Sequence, residues 1–232
     1  MVYITGDTHG EIDVRKLANR NFPQQKSLTK DDFVIVCGDF GCVWDGSKND
    51  RYWQKWYDER PFTTLFVDGN HENHRMLAEF PVINRYGGFV HQIQPSLFHL
   101  MRGEVFEICG AKVFCMGGAS SHDKHLRKPN VSWWEEEIPS KAEFEHAVET
   151  LEKHNWCVDY IITHCAPKSV QTKIANWYEN DAVTSFLQFV EDNCQFKHWY
   201  FGSLHEDRII TPRHTCVFLE TLPINPKKKE EE

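Results

Sequence analysis

Three features of this chain predict an α/β fold with two sheets and helices on the outside. Short apolar strand-like runs alternate with helix-like segments through the first half, and a block of meander-like strands fills the middle. Carboxylates, imidazoles and an amide collect just beyond the ends of several runs rather than inside them. Strands that feed helices build one layered sheet, and the later block supplies strands for a second. At 232 residues the chain suits one domain with a core large enough to fold alone. That domain is expected over 1–224, followed by a charged tail, 225–232, expected to lack order.

Each element has a local reason. Residues 2–5 are a bare apolar run, and 11–20 reads as the helix that follows it. The same alternation gives a strand at 33–37, a helix at 50–59, a strand at 64–67 and a short helix at 73–79, closed by Pro81. From 82 to 116 the pattern turns to β, with runs at 89–93, 97–101, 104–108 and 112–116 separated by turn residues. A long polar loop, 117–132, leads into Trp133-Trp134-Glu135-Glu136. Ala142, Phe144, Ala147, Val148 and Leu151 fall at near-helical spacing within 141–154, as do Val183, Phe186, Leu187 and Val190 within 181–192. Short apolar runs at 160–162 and 198–201 complete the strands.

Composition narrows the function classes. A net charge of −8 argues against a broad basic face for long duplex nucleic acid. No stretch of about twenty apolar residues is present to span a bilayer. Met1 runs almost directly into a strand, leaving no room for a signal peptide, so a cytoplasmic location is expected. Eight cysteines are present without a Cys-x-x-Cys pair, and Cys37, Cys115 and Cys216 sit inside apolar runs; free structural thiols are expected.

The chemistry concentrates in five segments. They are Gly6-Asp7-Thr8-His9, Gly38-Asp39, Gly69-Asn70-His71-Glu72, Thr163-His164 and Gly202-Ser203-Leu204-His205, each close behind a strand-like run. Asp7 and His9 are two apart, so on an extended backbone they would point to the same side and clasp one ion. Gly6 and Gly10 let the chain turn tightly around them. Asp39 carries two oxygens and can bridge two ions. Asn70 offers a neutral oxygen that hard cations such as Mn²⁺ or Mg²⁺ accept, and His164 and His205 offer imidazole nitrogens. A lone member of this set would be a turn residue or a helix cap, but the whole ordered set is what a pair of divalent ions needs.

With these motifs in view, the chain resembles the calcineurin-like metallophosphoesterase superfamily, in its bacterial-type single-domain branch. The likeness rests on Asp-x-His, Gly-Asp, Gly-Asn-His-Asp/Glu, a lone His and Gly-His-x-His, and covers nearly the whole chain. It implies a four-layer αββα sandwich of two mixed β-sheets flanked by helices, and a centre for two divalent metal ions. Manganese is expected first, with iron, zinc, magnesium or nickel as alternatives. By that resemblance Asp7, His9, Asp39 and His205 would hold one ion, and Asp39, Asn70, His164 and the residue at 203 the other. His71 would be the catalytic histidine that meets the phosphate. The implied activity is hydrolysis of a phosphate mono- or diester, with a nucleotide, an oligonucleotide or another small phosphorylated molecule as substrate and short nucleic acid compatible.

One position departs from the pattern. Ser203 stands where the resemblance calls for histidine, and a serine hydroxyl is shorter than imidazole and not a usual ligand for such ions. A weak second metal site is expected, and the alternative is a catalytically impaired protein that binds a phosphorylated ligand. The loop 117–127 also resembles a Gly-Gly-Ala…Ser-x-Asp-Lys…Arg segment of the bacterial branch, which puts Lys124 and Arg127 forward as substrate contacts. Trp44 and Asp45 are close enough in sequence to line the same rim, and Trp133 and Trp134 are read first as packing residues, with stacking on a nucleobase as the alternative.

Overall fold

The computed structural model describes residues 1–175 and 181–224, so the tail at 225–232 lies outside the described residues. One mixed sheet comprises β1 (Val2–Thr5), β2 (Phe33–Cys37), β3 (Thr63–Val67), β4 (Val82–Arg85), β5 (Gly88–Gln94), β6 (Leu97–Leu100) and β13 (Leu222–Ile224). Its order is β13-β1-β2-β3-β6-β5-β4, with β1, β2, β3 and β6 parallel and the outer strands antiparallel. The second sheet comprises β7 (Glu104–Ile108), β8 (Ala111–Met116), β9 (Tyr160–Thr163), β10 (His198–Phe201), β11 (Arg208–Thr211) and β12 (His214–Cys216). Here the order is β11-β12-β10-β9-β8-β7, again with four parallel strands inside and antiparallel edges.

Alternation along the strands builds the layers. Val2, Ile4, Ile35 and Leu65 of the first sheet meet Val113, Cys115, Tyr160 and Ile162 of the second in one apolar cluster between the sheets. The intervening residues face outward: Tyr3, Val34, Val36 and Phe66 pack with Tyr57 of α1 (Lys48–Asp58) and Leu77 of α2 (His74–Leu77). On the other flank Phe114, Ile161, Trp199 and Phe201 pack with Ala147 and Leu151 of α3 (Lys141–Lys153) and with Val170 of α4 (Lys168–Gln171). Val183, Leu187 and Val190 of α5 (Ala182–Asn193) complete that layer. Buried strands with apolar side chains on both faces are what two helix-covered, largely parallel sheets require. Capping boxes at Ser140/Glu143 and Asp181/Thr184 set the starts of α3 and α5.

One expected element is corrected. The helix read over 11–20 is only a short 3-10 turn, Val14–Leu17. Its N-cap Asp13 makes no capping bond, because its carboxylate meets His9 Nδ1 at 2.8 Å instead. Lys16 turns inward to give its ammonium protons to the carbonyls of Gly6 and Asp7 at 2.9 and 2.6 Å. Both demands favour a tight turn over a regular helix. All eight cysteines are free thiols.

Candidate metal centre

Parallel pairing of β1, β2 and β3 puts their C-terminal ends along one edge, and the pairing of β8, β9 and β10 does the same in the second sheet. The five polar segments leave those ends and converge between the sheets. Donor atoms of Asp7, His9, Asp39 and His205 all lie within 4.8 Å of one another. His205 Nε2 is 3.1 Å from Asp7 Oδ2, and His9 Nε2 is 3.3 Å from Asp39 Oδ2. His164, wholly buried, has its Nδ1 3.1 Å from the Cys37 carbonyl and its Nε2 3.6 Å from Asp39 Oδ1. Asn70, His71 and Ser203 share with Asp39 and His205 the lining of a cavity of about 240 Å³.

The segments interlock. A Cβ at Gly69 would stand 2.2 Å from Asp39 Oδ1, and one at Gly202 would stand 2.1 Å from Asp7 Oδ1. Each of these glycines therefore makes room for a carboxylate contributed by another segment. His9, Asp39, Ser203 and His205 all have φ between 42 and 68°, a region that costs non-glycine residues energy and collects at functional sites. The left-handed turn at His9 also corrects the extended-backbone argument: Asp7 and His9 do converge, but through a tight turn. Thr8 N–H and His9 N–H donate to the Asp39 carbonyl at 3.0 and 2.8 Å and hold that turn.

Electrostatics mark the centre as short of positive charge. Burial works against a charged His9, yet the carboxylates of Asp39, Asp13 and Asp7 hold its ionisation up at about 9. Burial likewise disfavours charge on His164, and Asp39 and Asp7 still raise it. Asp39 is itself held well below the carboxylate range, because His164, His9 and His71 outweigh its burial. His164 Nε2 is buried with no hydrogen-bond partner. An orphaned imidazole nitrogen beside a buried carboxylate, within a set of oxygen and nitrogen donors, fits a divalent cation.

The other predicted residues are placed as follows. His71 N–H donates to Asp39 Oδ1 at 2.8 Å, and its ring Nε2 lies 3.0 Å from Arg127 Nη2. A guanidinium can only donate, so that nitrogen accepts. Burial lowers His71's ionisation and Arg127 presses the same way, against the pull of Asp39. Arg127 is also paired with Asp123 at 2.7 Å. Lys124 sits in an exposed 3-10 turn, Lys124–Leu126, and is not among the residues lining the 240 Å³ cavity. Trp44 stacks against His71, with ring centroids 6.1 Å apart, and meets the buried Trp134 edge-on. Beside them a cleft of about 410 Å³ runs from His9 and His71 past Trp44 to Asn49 and Trp53. Asp50 shapes this wall by accepting the backbone N–H groups of Trp44, Asp45 and Gly46 at 2.8–3.0 Å.

Sequence reasoning gave no role to the residues behind the centre. Asp13 orients His9, and a carboxylate four residues after a candidate ligand histidine was the available signal. Buried Glu72 accepts from Gly41 N–H at 2.9 Å and Gly69 N–H at 2.6 Å, tying two segments together. Its burial and the nearby Asp39 push its carboxyl up to about 7. Asp68 and Arg102, buried and paired at 2.6 Å, carried no local signal at all.

Comparison with known proteins agrees with this architecture. The family description calcineurin-like phosphoesterase matches residues 1–207, and the chain belongs to that family. Membership implies phosphoester chemistry at divalent metal ions. The chain is similar to lariat debranching enzyme A of Xenopus laevis, 25% identical over 88% of this chain and 42% of the relative. It is also similar to the lariat debranching enzymes of Gallus gallus, 22% identical over 96% of this chain and 46% of the relative, and of Homo sapiens, 30% identical over 53% and 24%. The chain thus spans less than half the length of these relatives. Among the described residues no helix is long and apolar enough to cross a membrane.

Proposed function

We propose that this protein is a metal-dependent phosphodiesterase acting on a nucleotide or short nucleic-acid substrate, with Asp7, His9, Asp39, Asn70, His164 and His205 as ligands to two divalent ions. The observation that carries the reading is the convergence of four donors within 4.8 Å, beside the orphaned Nε2 of His164. Bound there, the ions would acidify a water and draw charge from phosphate oxygens. A diester is favoured over a monoester because the relatives are named for debranching a lariat, and because an open cleft continues past the centre. Trp44 offers a flat face on which a base can stack, at roughly 1–3 kcal/mol per base.

The chain's own residues then divide the remaining work. Arg127 is already beside His71 and has the planar fork that grips phosphate oxygens. As it engages the phosphate it releases His71 Nε2, which can take up a proton and give it to the leaving oxygen. Asp13 holds His9 by its Nδ1, leaving Nε2 for the ion. A cytoplasmic setting suits the free thiols.

The test is turnover with Mn²⁺, Zn²⁺ or Co²⁺ on bis-p-nitrophenyl phosphate, p-nitrophenyl phosphate and dinucleotides, beside an Asp39→Asn control. Diester turnover abolished by chelation and by Asp39→Asn is expected. Metal uptake without turnover on any substrate would replace this reading with that of a phospholigand-binding protein.

A further inference from the structure

We propose that Cys165, as a thiolate, supplies the second ion with the protein ligand that Ser203 does not. The inference rests on the two-ion reading above. Cys165 directly follows His164 at the end of β9, and Thr163 Oγ1, which donates to the Cys165 carbonyl at 2.6 Å and accepts from Trp199 Nε1 at 2.8 Å, pins that turn. The cysteine borders the helix-facing core of the second sheet on one side. On the other it lines the 240 Å³ cavity together with Asp39, Asn70, Ser203 and His205. No other cysteine lines that cavity among the described residues.

Three further observations bear on this position. Ser203 lies beside Cys165 on that lining and favours its thiolate, against burial and then the carboxylates of Asp181, Asp39 and Asp7, which push the thiol well up unless a cation offsets them. Ser203 cannot move toward the centre to compensate for its short side chain: its φ is 68°, and its N–H donates to both Asp7 oxygens at 3.1 Å. His164 Nε2, one residue away in sequence and fully buried, has no hydrogen-bond partner. Shortening an imidazole to a hydroxymethyl opens space beside the neighbouring sulfur, and a thiolate bond of about 2.3 Å is only slightly longer than the roughly 2.0–2.1 Å of an imidazole bond. Binding expels the thiol proton to solvent, so no other reactant is needed. The resulting set at the second ion is one thiolate, one imidazole, one amide oxygen and the shared carboxylate. That softer set prefers Zn²⁺, Fe²⁺ or Co²⁺ to Mn²⁺ or Mg²⁺.

Cobalt reports the bond directly, because a thiolate on Co²⁺ gives a near-ultraviolet sulfur-to-metal charge-transfer band that nitrogen and oxygen ligands do not. The full chain is titrated with Co²⁺, and metal content and the band are followed for wild type, Cys165→Ser and Cys165→Ser/Ser203→His. Expected are two Co²⁺ per chain with the band in wild type. Cys165→Ser should lose the band, with a second ion weakened beyond the roughly 10–100-fold that losing a ligand's supporting partner costs. In the double variant the second ion should return without the band. Cobalt bound to wild type without the band, or a band that survives Cys165→Ser, would overturn the proposal while leaving the two-ion reading intact. Failure to bind cobalt at all would remove both. The wild-type spectrum decides the matter even where a variant folds poorly.

Discussion

Arg102→Met should be among the most damaging single substitutions outside the candidate metal centre. Asp68, 1% exposed, receives Arg102 Nε and Nη2 at 2.9 and 2.6 Å and has His99 Nε2 at 3.0 Å. Burial works against its charge, but Arg102, His74 and His99 hold the carboxyl well below its ordinary range. The same guanidinium donates to the Glu136 carbonyl at 2.9 Å and to Glu143 at 3.2 Å, so one side chain joins β3, the 117–137 loop and α3. Removing it leaves a buried carboxylate without its main counter-charge. That costs about 3–5 kcal/mol, a large share of the roughly 5–15 kcal/mol that holds a typical domain together. At about 2–4 °C per kcal/mol for a chain of this size, Tm should fall by about 6–20 °C.

The sign of a second substitution separates charge from packing. Asp68→Asn removes the stranded charge yet keeps an oxygen for His99, so Asp68→Asn/Arg102→Met should be more stable than Arg102→Met alone. Urea unfolding of the three variants and wild type measures both differences. A loss below about 1 kcal/mol for Arg102→Met, or a double variant weaker than the single, would refute this account of the pair. The consequence reaches the site, because a Cβ at Gly117 would lie 1.9 Å from Asp68 Oδ1. Asp68 is thus the wedge between the loop bearing Asn70 and the loop leading to Arg127, and Arg102→Met should also lower affinity for the second ion.

Three further outcomes are expected. His71→Ala should slow turnover by about 10²–10⁴-fold while leaving metal content per chain unchanged, and loss of the ions would instead make His71 part of their binding. Asp13→Ala, which frees His9 Nδ1, should weaken calorimetric ion binding by about 10–100-fold, and unchanged affinity would deny Asp13 its orienting role. His91 is pushed down to about 4 by burial and then by His99, so the folded chain prefers its neutral form and the unfolded chain takes up that proton first. Its contribution is complete above about pH 6.5 and is lost as pH falls toward about 4, at most roughly 3 kcal/mol. His91→Gln should flatten the pH dependence of unfolding in that window, and an unaltered slope would show that His91 is not the titrating group.

What was legible in the sequence follows from range. The parallel strands β1, β2, β3 and β9 are buried on both faces and read as continuous apolar runs, so their ends, and the polar residues beyond them, could be found without pairing information. The edges could not. Leu222–Ile224 carries Pro223, which an edge strand tolerates because one row of its backbone groups needs no partner. The strand Arg208–Thr211 is largely exposed and pairs through an irregular register.

The same distinction separates the candidate ligands from the groups that hold them. Asp7, His9, Asp39 and His164 each announce themselves locally, as a short polar segment after a strand. Asp68, His99 and Arg102 lie 31 and 34 residues apart along the chain and meet only because β3 pairs with β6 and the connection from β6 crosses to the second sheet. A buried charge of that kind cannot be told from a surface residue until the pairing is known, since nothing local marks its partner. Ser203 is the opposite case. It was visible at once as a departure from the pattern, but the group positioned to answer for it, Cys165, sits 38 positions earlier and stands out in sequence only as a thiol next to the candidate ligand His164. Only the folding of β9 beside β10 brings that cysteine onto the cavity lined by the serine, and so a missing ligand legible in one dimension acquires its candidate replacement in three.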